Sequence, residues 1–188
     1  MSATAHAPSP LTASRSLLLV IDIQGKLARI VQESDKLTRN VQILVQGTKL
    51  IGVPAIVTEQ YPAGLGRTID ELQPHIADLP LMEKTTFSCL ADPAIMKALV
   101  DSHRMDVIVC GIEAHVCVYQ TVQDLLRHGY RVHVVTDAIS SRTAANLKLA
   151  IRTMESQGAV LTGTEMVLFE LLHTSGTEMF KAVSRLVR

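Results

Sequence analysis

The segment 107–118 constrains the fold more than any other part of the chain. It contains an apolar strand at 107–110, a turn at Gly111 and a helix that carries Cys117 in its first turn. An α/β fold uses a strand, a turn and a helix to bring a reactive side chain to the carboxyl edge of its sheet. The unpaired N–H groups and positive dipole end of a helix lower a thiol pKa from about 8.5. Cys117 is therefore a candidate nucleophile, although free cysteine is also among the most buried residue types.

Two further apolar runs end in charged residues. Residues 17–23 are apolar except for Asp22, and residues 79–84 end at Lys84. A carboxylate at the end of a buried strand is costly without a partner, so a cation at the same sheet edge is expected. Solvated charges at strand ends are the alternative for each residue taken alone. Together with Cys117 they indicate a site.

Helical and extended patterns alternate along the chain. Short apolar runs predict strands, and apolar residues at three- and four-residue spacing predict helices. The predicted strands are residues 17–23, 53–58, 79–84, 107–110, 131–136 and 159–162, and the predicted helices are 34–51, 92–103, 115–128, 143–157 and 164–172. Repeated βα units with right-handed crossovers predict a three-layer αβα fold with a doubly wound, six-stranded parallel sheet of Rossmann-like topology.

Length and composition favour one domain without nucleic-acid or membrane partners. The chain has 188 residues, of which 47% are hydrophobic, and this suits a single core. We expect a flexible tail at 1–14, which resembles neither a signal peptide nor a transit peptide, and one domain at 15–188. The formal net charge of zero argues against nucleic acid and membrane surfaces. Three cysteines without disulfide or metal spacing indicate a reducing compartment, and hence the cytoplasm.

Three short motifs carry a resemblance to a known family. They are residues 20–24 (VIDIQ), 83–88 (EKTTFS) and 111–117 (GIEAHVC), each beside the end of a predicted strand. In these motifs, and over roughly residues 16–171, the chain resembles the isochorismatase-like cysteine hydrolases, which include nicotinamidases and N-carbamoyl amidohydrolases. The segment 58–66 is similar to a subgroup whose substrate is generally unassigned.

The resemblance implies specific roles for the residues in these motifs. Asp22, Lys84 and Cys117 would form a catalytic triad, and a cis peptide would join Ile112 to Glu113. The backbone N–H groups of Glu113 and Cys117 would stabilise the oxyanion. The substrate pocket would be lined by a further set of side chains, namely Gln24, Tyr61, Phe87, Glu113 and His115.

The chain departs from the nicotinamidase pattern at the metal site. Nicotinamidases have an Asp-x-His motif after the second strand, whereas residues 59–61 here are Glu, Gln and Tyr. His75 is the only histidine in the following loop, so we expect no metal and no other cofactor. The chain also lacks the Gly-x-Gly-x-x-Gly fingerprint of dinucleotide-binding proteins and the Gly-x-Ser-x-Gly motif of serine hydrolases.

Two functions remain open from the sequence. The first is a metal-independent hydrolase that acts on a small amide, carbamoyl compound or ester through a Cys117 thioester. The second is a non-catalytic, oligomeric binding protein with a vestigial site. A homo-oligomer is expected in either case, because family members are usually oligomeric and the C-terminal segment carries an apolar stripe. Its members are Met179, Phe180, Val183, Leu186 and Val187. Packing of this stripe against the chain's own sheet is the alternative.

Overall fold

The computed structural model describes residues 10–188, and six parallel strands form one sheet in this part of the chain. The strands are β1 (Ser16–Ile21), β2 (Ala55–Gln60), β3 (Leu81–Lys84), β4 (Asp106–Ile112), β5 (Arg131–Ser140) and β6 (Val160–Thr162). Their order across the sheet is β3-β2-β1-β4-β5-β6. This is the doubly wound order, so the predicted fold class is confirmed.

Helices cover both faces of the sheet. In chain order they are α1 (Leu27–Ile30), α2 (Ser34–Ile51), α3 (Pro62–Leu65), α4 (Gln73–Ile76), α5 (Pro93–Asp101), α6 (Tyr119–Arg127), α7 (Ala144–Ser156), α8 (Thr164–Leu172) and α9 (Glu178–Leu186). The α2 and α8 bounds match the predicted ones, and α2 ends at Gly52, which has a φ of 83°. Glycine adopts this left-handed conformation without a steric penalty.

Several elements differ from the sequence prediction. The connection predicted at 59–78 begins later, because β2 continues to Gln60, and it contains the short helices α3 and α4. Strand β5 continues past Thr136 to Ser140, and its register against β4 shifts between Val109 and Gly111. The segment 114–118 forms a π-helical turn before α6, so Cys117 lies in that turn. Such turns are frequent at functional sites.

The sheet is buried on both faces, which explains its uninterrupted apolar strands. On one face Leu18 and Ile108 pack with Leu44 of α2. On the other face Leu19 and Val109 belong to the cluster that α5, α6 and α7 cover. The strands therefore form a rigid central layer, and their carboxyl ends meet at one edge.

The packed domain begins earlier than the predicted boundary at residue 15. Leu11 is fully buried in the core, and its backbone N–H donates to Oε1 of Glu170 at 2.8 Å. Burial of one large apolar side chain is enough to fix this segment on the domain. The assignment of residues 11–14 to a flexible tail was therefore wrong, and residues 1–9 of that tail lie outside the described part of the chain.

The C-terminal stripe packs within its own chain. Val183 of α9 is fully buried against Ile43 of α2 and Leu168 of α8. The ring of Phe180 lies 5.9 Å from that of Phe169, measured between centroids. The stripe thus packs against α2 and α8 of its own chain rather than against the sheet. It no longer supports an interface between subunits.

One buried histidine introduces a pH-dependent instability. The side chain of His133 in β5 is 3% exposed, and within residues 10–188 neither ring nitrogen has a hydrogen-bond partner. Burial lowers the pKa of His133 and the charge of Arg131 lowers it further, while Asp106 and Glu170 act in the opposite direction. The folded protein therefore holds His133 neutral at a pH where an unfolded histidine is protonated.

We expect the free energy of unfolding to fall as the pH drops below about 6.5, the pKa of an unfolded histidine. Because the folded pKa is lower, the unfolded chain binds the extra proton, at up to about 1.4 kcal/mol per pH unit. The variant His133→Leu should remove this component of the slope in urea unfolding at pH 7.5 and 5.5. His128→Gln, which changes an exposed histidine, is the control. An unchanged slope in His133→Leu would contradict the prediction.

Candidate active site

Three strands deliver charged or nucleophilic side chains to the carboxyl edge of the sheet. Asp22 directly follows β1, Lys84 is the last residue of β3, and Cys117 lies in the turn after β4. All three are buried, with exposures of 2%, 3% and 7% in that order. Two of them are in direct contact, since Nζ of Lys84 lies 2.6 Å from Oδ2 of Asp22. Residues far apart in sequence thus meet at one point.

The Asp22 carboxylate is held on both oxygens. Oδ1 accepts a hydrogen bond from the hydroxyl of Thr58 at 2.7 Å, and Oδ2 accepts one from Lys84. The backbone of Asp22 has a φ of 53°, a left-handed conformation that aspartate adopts more readily than most residues. The backbone turn and the contacts with Thr58 and Lys84 together hold the carboxylate in one orientation.

The Lys84 ammonium has four oxygen neighbours. Besides Asp22 it contacts Oε1 of Gln60 at 2.7 Å and the carbonyls of Thr86 and Phe87 at 3.2 and 3.3 Å. The sequence analysis missed Gln60 because a polar residue at a strand end carries no distinct signal. Gln60 lies at the carboxyl end of β2, and β2 lies between β1 and β3. This position would have identified Gln60 as a neighbour of Asp22 and Lys84. Gln60 positions the lysine rather than the nucleophile.

The thiol of Cys117 is not activated in the way that its helix position suggested. Burial raises the pKa of Cys117, the negative charge of Asp22 raises it further, and the charge of Lys84 opposes this only in part. The predicted lowering of the pKa was therefore wrong. Desolvation and the nearby carboxylate act against the lowering that the helix position suggested. A thiol with a raised pKa holds its proton, and Asp22 is the carboxylate that shares the cavity with it.

The turn that precedes Cys117 is tightly packed. Gly111 has a φ of 123°, and a Cβ there would lie 2.0 Å from the carbonyl oxygen of Ile21. The structure has a cis peptide at Ile112–Glu113, the position that the family resemblance implies. The carboxylate of Glu113 accepts hydrogen bonds from the backbone N and the Nε of Arg142, both at 3.0 Å. These contacts fix the turn against the end of β5.

A cavity of about 100 Å³ opens beside Cys117. Ten residues line it, five polar and five apolar: Asp22, Gln24, Gln60, Glu113, Cys117, Leu27, Leu65, Phe87, Ile112 and Val116. Asp22 and Cys117 therefore face one small space. A bound acyl group could contact both the thiol and the carboxylate, which is the arrangement that nucleophilic catalysis requires.

Comparisons with known proteins identify the family. The isochorismatase domain profile matches residues 16–166, which is most of the chain. The chain belongs to the isochorismatase-like cysteine hydrolase family. It is 36% identical to the secreted isochorismatase effector Isc1 of Phytophthora sojae over 178 residues, covering 92% of this chain and 84% of that protein. It is 34% identical to isochorismatase domain-containing protein 2 of Danio rerio over 184 residues, covering 94% and 89%.

The structural comparison gives the same result for the fold. A Caenorhabditis elegans protein named MAR1 ribonuclease superimposes with a TM-score of 0.89 at 38% identity. The match covers 95% of this chain and 92% of that one. The six-stranded sheet and its flanking helices are thus those of isochorismatase-like hydrolases.

Two of the pocket residues predicted for this isochorismatase-family chain lie elsewhere. Neither Tyr61 nor His115 lines the cavity. The ring of Tyr61 is 56% exposed and lies close above Gly64, because the left-handed backbone at residue 61 turns it outward. His115 is hydrogen-bonded to the hydroxyl of Ser141 at 2.9 Å and to the amide of Asn146 at 3.3 Å. Both were plausible because they follow strand ends, but neither is among the residues that line the cavity.

Gln24, Phe87 and Glu113 do line the cavity, but Gln24 has no hydrogen left for a substrate. Its two amide hydrogens go to the carbonyls of Gln60 and Gly66, at 3.1 and 2.6 Å. Its oxygen accepts the backbone N–H of Gln60 at 2.6 Å. Gln24 therefore holds the loop after β2 against the end of β1, which is a structural role in this isochorismatase-family site.

The position at which nicotinamidases bind a metal lies at the end of β2 and carries an ion pair here. Glu59 is fully buried, and its carboxylate accepts hydrogen bonds from the backbone and hydroxyl of Thr68 and from Arg67. Burial acts to raise the pKa of Glu59, but these donors outweigh it and hold the pKa below its ordinary value. In residues 10–188 no group of three His, Cys, Asp or Glu side chains could hold a metal ion. Glu59 anchors a loop.

Proposed function

We propose that this isochorismatase-family chain is a metal-independent cysteine hydrolase that acts on a small amide, carbamoyl compound or ester. One observation carries the proposal. The Lys84 ammonium lies 2.6 Å from the Asp22 carboxylate, and Asp22 shares a cavity with the thiol of Cys117. A buried carboxylate beside a protonated thiol is placed to act as its base, and the bound cation balances the charge of the carboxylate.

The first chemical step follows from the state of the thiol. Burial and Asp22 raise the pKa of Cys117, so the proton must leave as sulfur attacks the acyl carbon. Asp22 accepts that proton, and it later donates it to the leaving nitrogen or oxygen. The role of Lys84 is electrostatic: three further oxygens besides Asp22 surround its ammonium, so we assign it no role as a nucleophile.

The tetrahedral intermediate needs hydrogen-bond donors close to the attacked carbon. The N–H groups of Val116 and Val118 both donate to the carbonyl of Glu113, so they are already used. The proposal assigns the oxyanion to the N–H groups of Glu113 and Cys117, and each such donor is typically worth about 3 kcal/mol. Water, deprotonated by Asp22, then hydrolyses the thioester and restores the thiol.

Two other functions have weaker support. Loss of one member of a buried charge pair is strongly destabilising, so the pair alone does not separate an active site from a vestigial one, and it is the thiol of Cys117 in the same cavity that favours the enzyme. Ribonuclease activity, which the name of the Caenorhabditis elegans relative suggests, lacks support in the charge distribution. The formal net charge of the chain is zero, and none of the described residues lining the cavity is Lys, Arg or His. Hydrolysis of a small uncharged amide, carbamoyl compound or ester fits this site better.

The test is acid release from a panel of small amides, carbamoyl compounds and esters. Wild type should turn over at least one of them, and exhaustive chelation should leave that rate unchanged because no residue in the proposed chemistry binds metal. Activity that is lost on chelation and restored by zinc or iron would contradict metal independence. A panel without any acid release would leave the vestigial binding protein as the better description.

We propose that the chain works in the cytoplasm, because its three cysteines are unpaired and buried. The relative from Phytophthora sojae is named a secreted effector. Cell fractionation tests whether this chain is cytoplasmic instead. Within residues 10–188, no helix has both the length and the apolar character needed to cross a membrane.

We also propose a homo-oligomer. Large apolar side chains are exposed at Ile30, Leu149 and Met166, at 58%, 56% and 64%. Several such residues on one small chain favour burial between copies. Light scattering at micromolar concentration should give a multiple of the 20.5 kDa chain mass. A mass near that of one chain would overturn the proposal.

A further inference from the structure

The walls of the cavity are apolar away from the reacting groups. Leu27, Leu65, Phe87, Ile112 and Val116 form them, and these residues come from five different segments around the edge of the sheet. The cavity volume of about 100 Å³ is small compared with the roughly 300–1,000 Å³ of sites for drug-sized ligands. It fits a short acyl chain.

The nearest cations already have partners. Lys84 is buried against four oxygens, and the guanidinium of Arg142, whose side chain is 55% exposed, is paired with the carboxylate of Glu113 through Nε. Arg67 is paired with Glu59 and Glu83 outside the cavity. A carboxylate on a substrate is usually recognised by a lysine or an arginine with donors available. Among the described residues that line this cavity, none provides such a donor.

The charges in the cavity wall are negative. Asp22 and Glu113 both contribute carboxylates to the lining. Each of these carboxylates is already paired with one cation, Asp22 with Lys84 and Glu113 with Arg142. An anionic substrate would therefore lose its hydration in a small space whose charges are already balanced, with no cation left to pair with it. A neutral substrate avoids this cost.

The amide side chains of the lining do not compensate for it. Both hydrogens of Gln24 are used on backbone carbonyls. The amide of Gln60 donates to the carbonyl of Thr85 at 2.8 Å, and its oxygen accepts from Lys84. The part of the substrate away from the reacting bond thus contacts a surface with few available hydrogen-bond donors.

We propose that this pocket selects small uncharged acyl compounds with an apolar acyl chain and rejects those that carry a carboxylate or another anion. The inference rests on the proposed hydrolase and narrows its substrate class. It concerns the pocket itself, so it can be tested by a reaction at Cys117 that does not require turnover.

Iodoacetamide and iodoacetate are a matched pair of probes, one neutral and one anionic, with nearly the same shape. Each alkylates the thiol: a bond forms between Sγ and carbon, iodide leaves, and the thiol proton passes to Asp22. Peptide mapping reports the rate at Cys117 separately from Cys89 and Cys110, which are fully buried. Glutathione serves as the reference for intrinsic reactivity.

The ratio of the iodoacetamide rate to the iodoacetate rate should exceed that of glutathione by about tenfold or more, because the anionic probe would lose its hydration beside two carboxylates whose cations are already paired. A ratio equal to or below that of glutathione would overturn the inference. Leu65→Lys adds a cation to the cavity rim, where the native side chain is 41% exposed, and should lower the ratio several-fold. Val100→Lys adds the same charge at an exposed position on α5 and should leave it unchanged.

Hydrolysis provides a second comparison. Butyramide and succinamate have similar length, and succinamate carries a carboxylate. Acid release from butyramide alone supports both the hydrolase and the pocket preference. Equal or faster release from succinamate overturns the preference but keeps the hydrolase. Release from neither counts against the hydrolase, and the alkylation ratio then decides the preference of the pocket on its own.

Discussion

Replacing Cys117 by alanine should lower acid release from the best substrate of the panel by about 10⁴-fold or more, a loss of at least about 5 kcal/mol of transition-state stabilisation. Cys117 is the only cysteine in the cavity lining of the described residues, and its thiol is the atom that would form the thioester. Without it, Asp22 has no proton to accept from a nucleophile. Cys117→Ser should also be nearly inactive, because an alcohol is a weaker nucleophile beside the same base.

Cys110→Ala is the matched control for this loss. Cys110 is fully buried in β4, in the cluster of the α2 face, whereas Cys117 belongs to the cluster on the opposite face. Burial raises the pKa of Cys110 as well, so both thiols start protonated. The control should lower the free energy of unfolding by about 1 kcal/mol through lost packing and keep most of the activity. If Cys117→Ala retained a tenth of the wild-type rate, the assignment of the nucleophile would be wrong.

The sequence predicted the fold well because the sheet is buried on both sides. Strands in such a sheet are short apolar runs, and amphipathic helices separate them. For the same reason Asp22 and Lys84 were visible as charged residues at the ends of apolar strands. A charge in that context needs a partner, and parallel strands bring their carboxyl ends to one edge. The 2.6 Å contact between the two follows from that topology.

The parts of the site that the sequence did not predict depend on the paths of loops. Leu27 and Leu65 line the cavity from the short helices α1 and α3, neither of which has a helical pattern long enough to recognise. Tyr61 and His115 follow strand ends as Asp22 does, yet backbone conformation and neighbouring polar groups direct them elsewhere. The direction of the Cys117 pKa shift was also missed, because burial is a property of the folded chain.

Lys84→Met should be the most destabilising single substitution in the site. It removes the cation and leaves the Asp22 carboxylate buried, with the Thr58 hydroxyl as its remaining partner among the contacts described above. Breaking a buried pair from one side typically lowers the free energy of unfolding by about 3–5 kcal/mol. Activity should be lost at the same time, because an uncompensated Asp22 takes up a proton and cannot act as the base. Urea unfolding and acid release measure the two effects.

The exposed pair Lys97–Asp101 offers a control for charge removal alone. Its side chains are 74% and 61% exposed on α5, so Lys97→Met should leave both the unfolding midpoint and the activity almost unchanged. The comparison separates the effect of burial from the effect of deleting one ammonium group. A large loss of stability in Lys97→Met would mean that urea unfolding responds to the net charge of the protein rather than to the burial of the Lys84–Asp22 pair.

The double variant Asp22→Asn with Lys84→Met tests whether the two residues act as a pair. Asp22→Asn alone leaves the Lys84 ammonium buried among Gln60 and two carbonyls without a negative charge. Removing both charges relieves each single defect, so the double variant should be more stable than the sum of the single losses predicts, by about 1–3 kcal/mol. Its activity should not recover, because the base is gone. If the losses in stability added to within about 0.5 kcal/mol, the residues would be independent and the proposed role of Lys84 would fail.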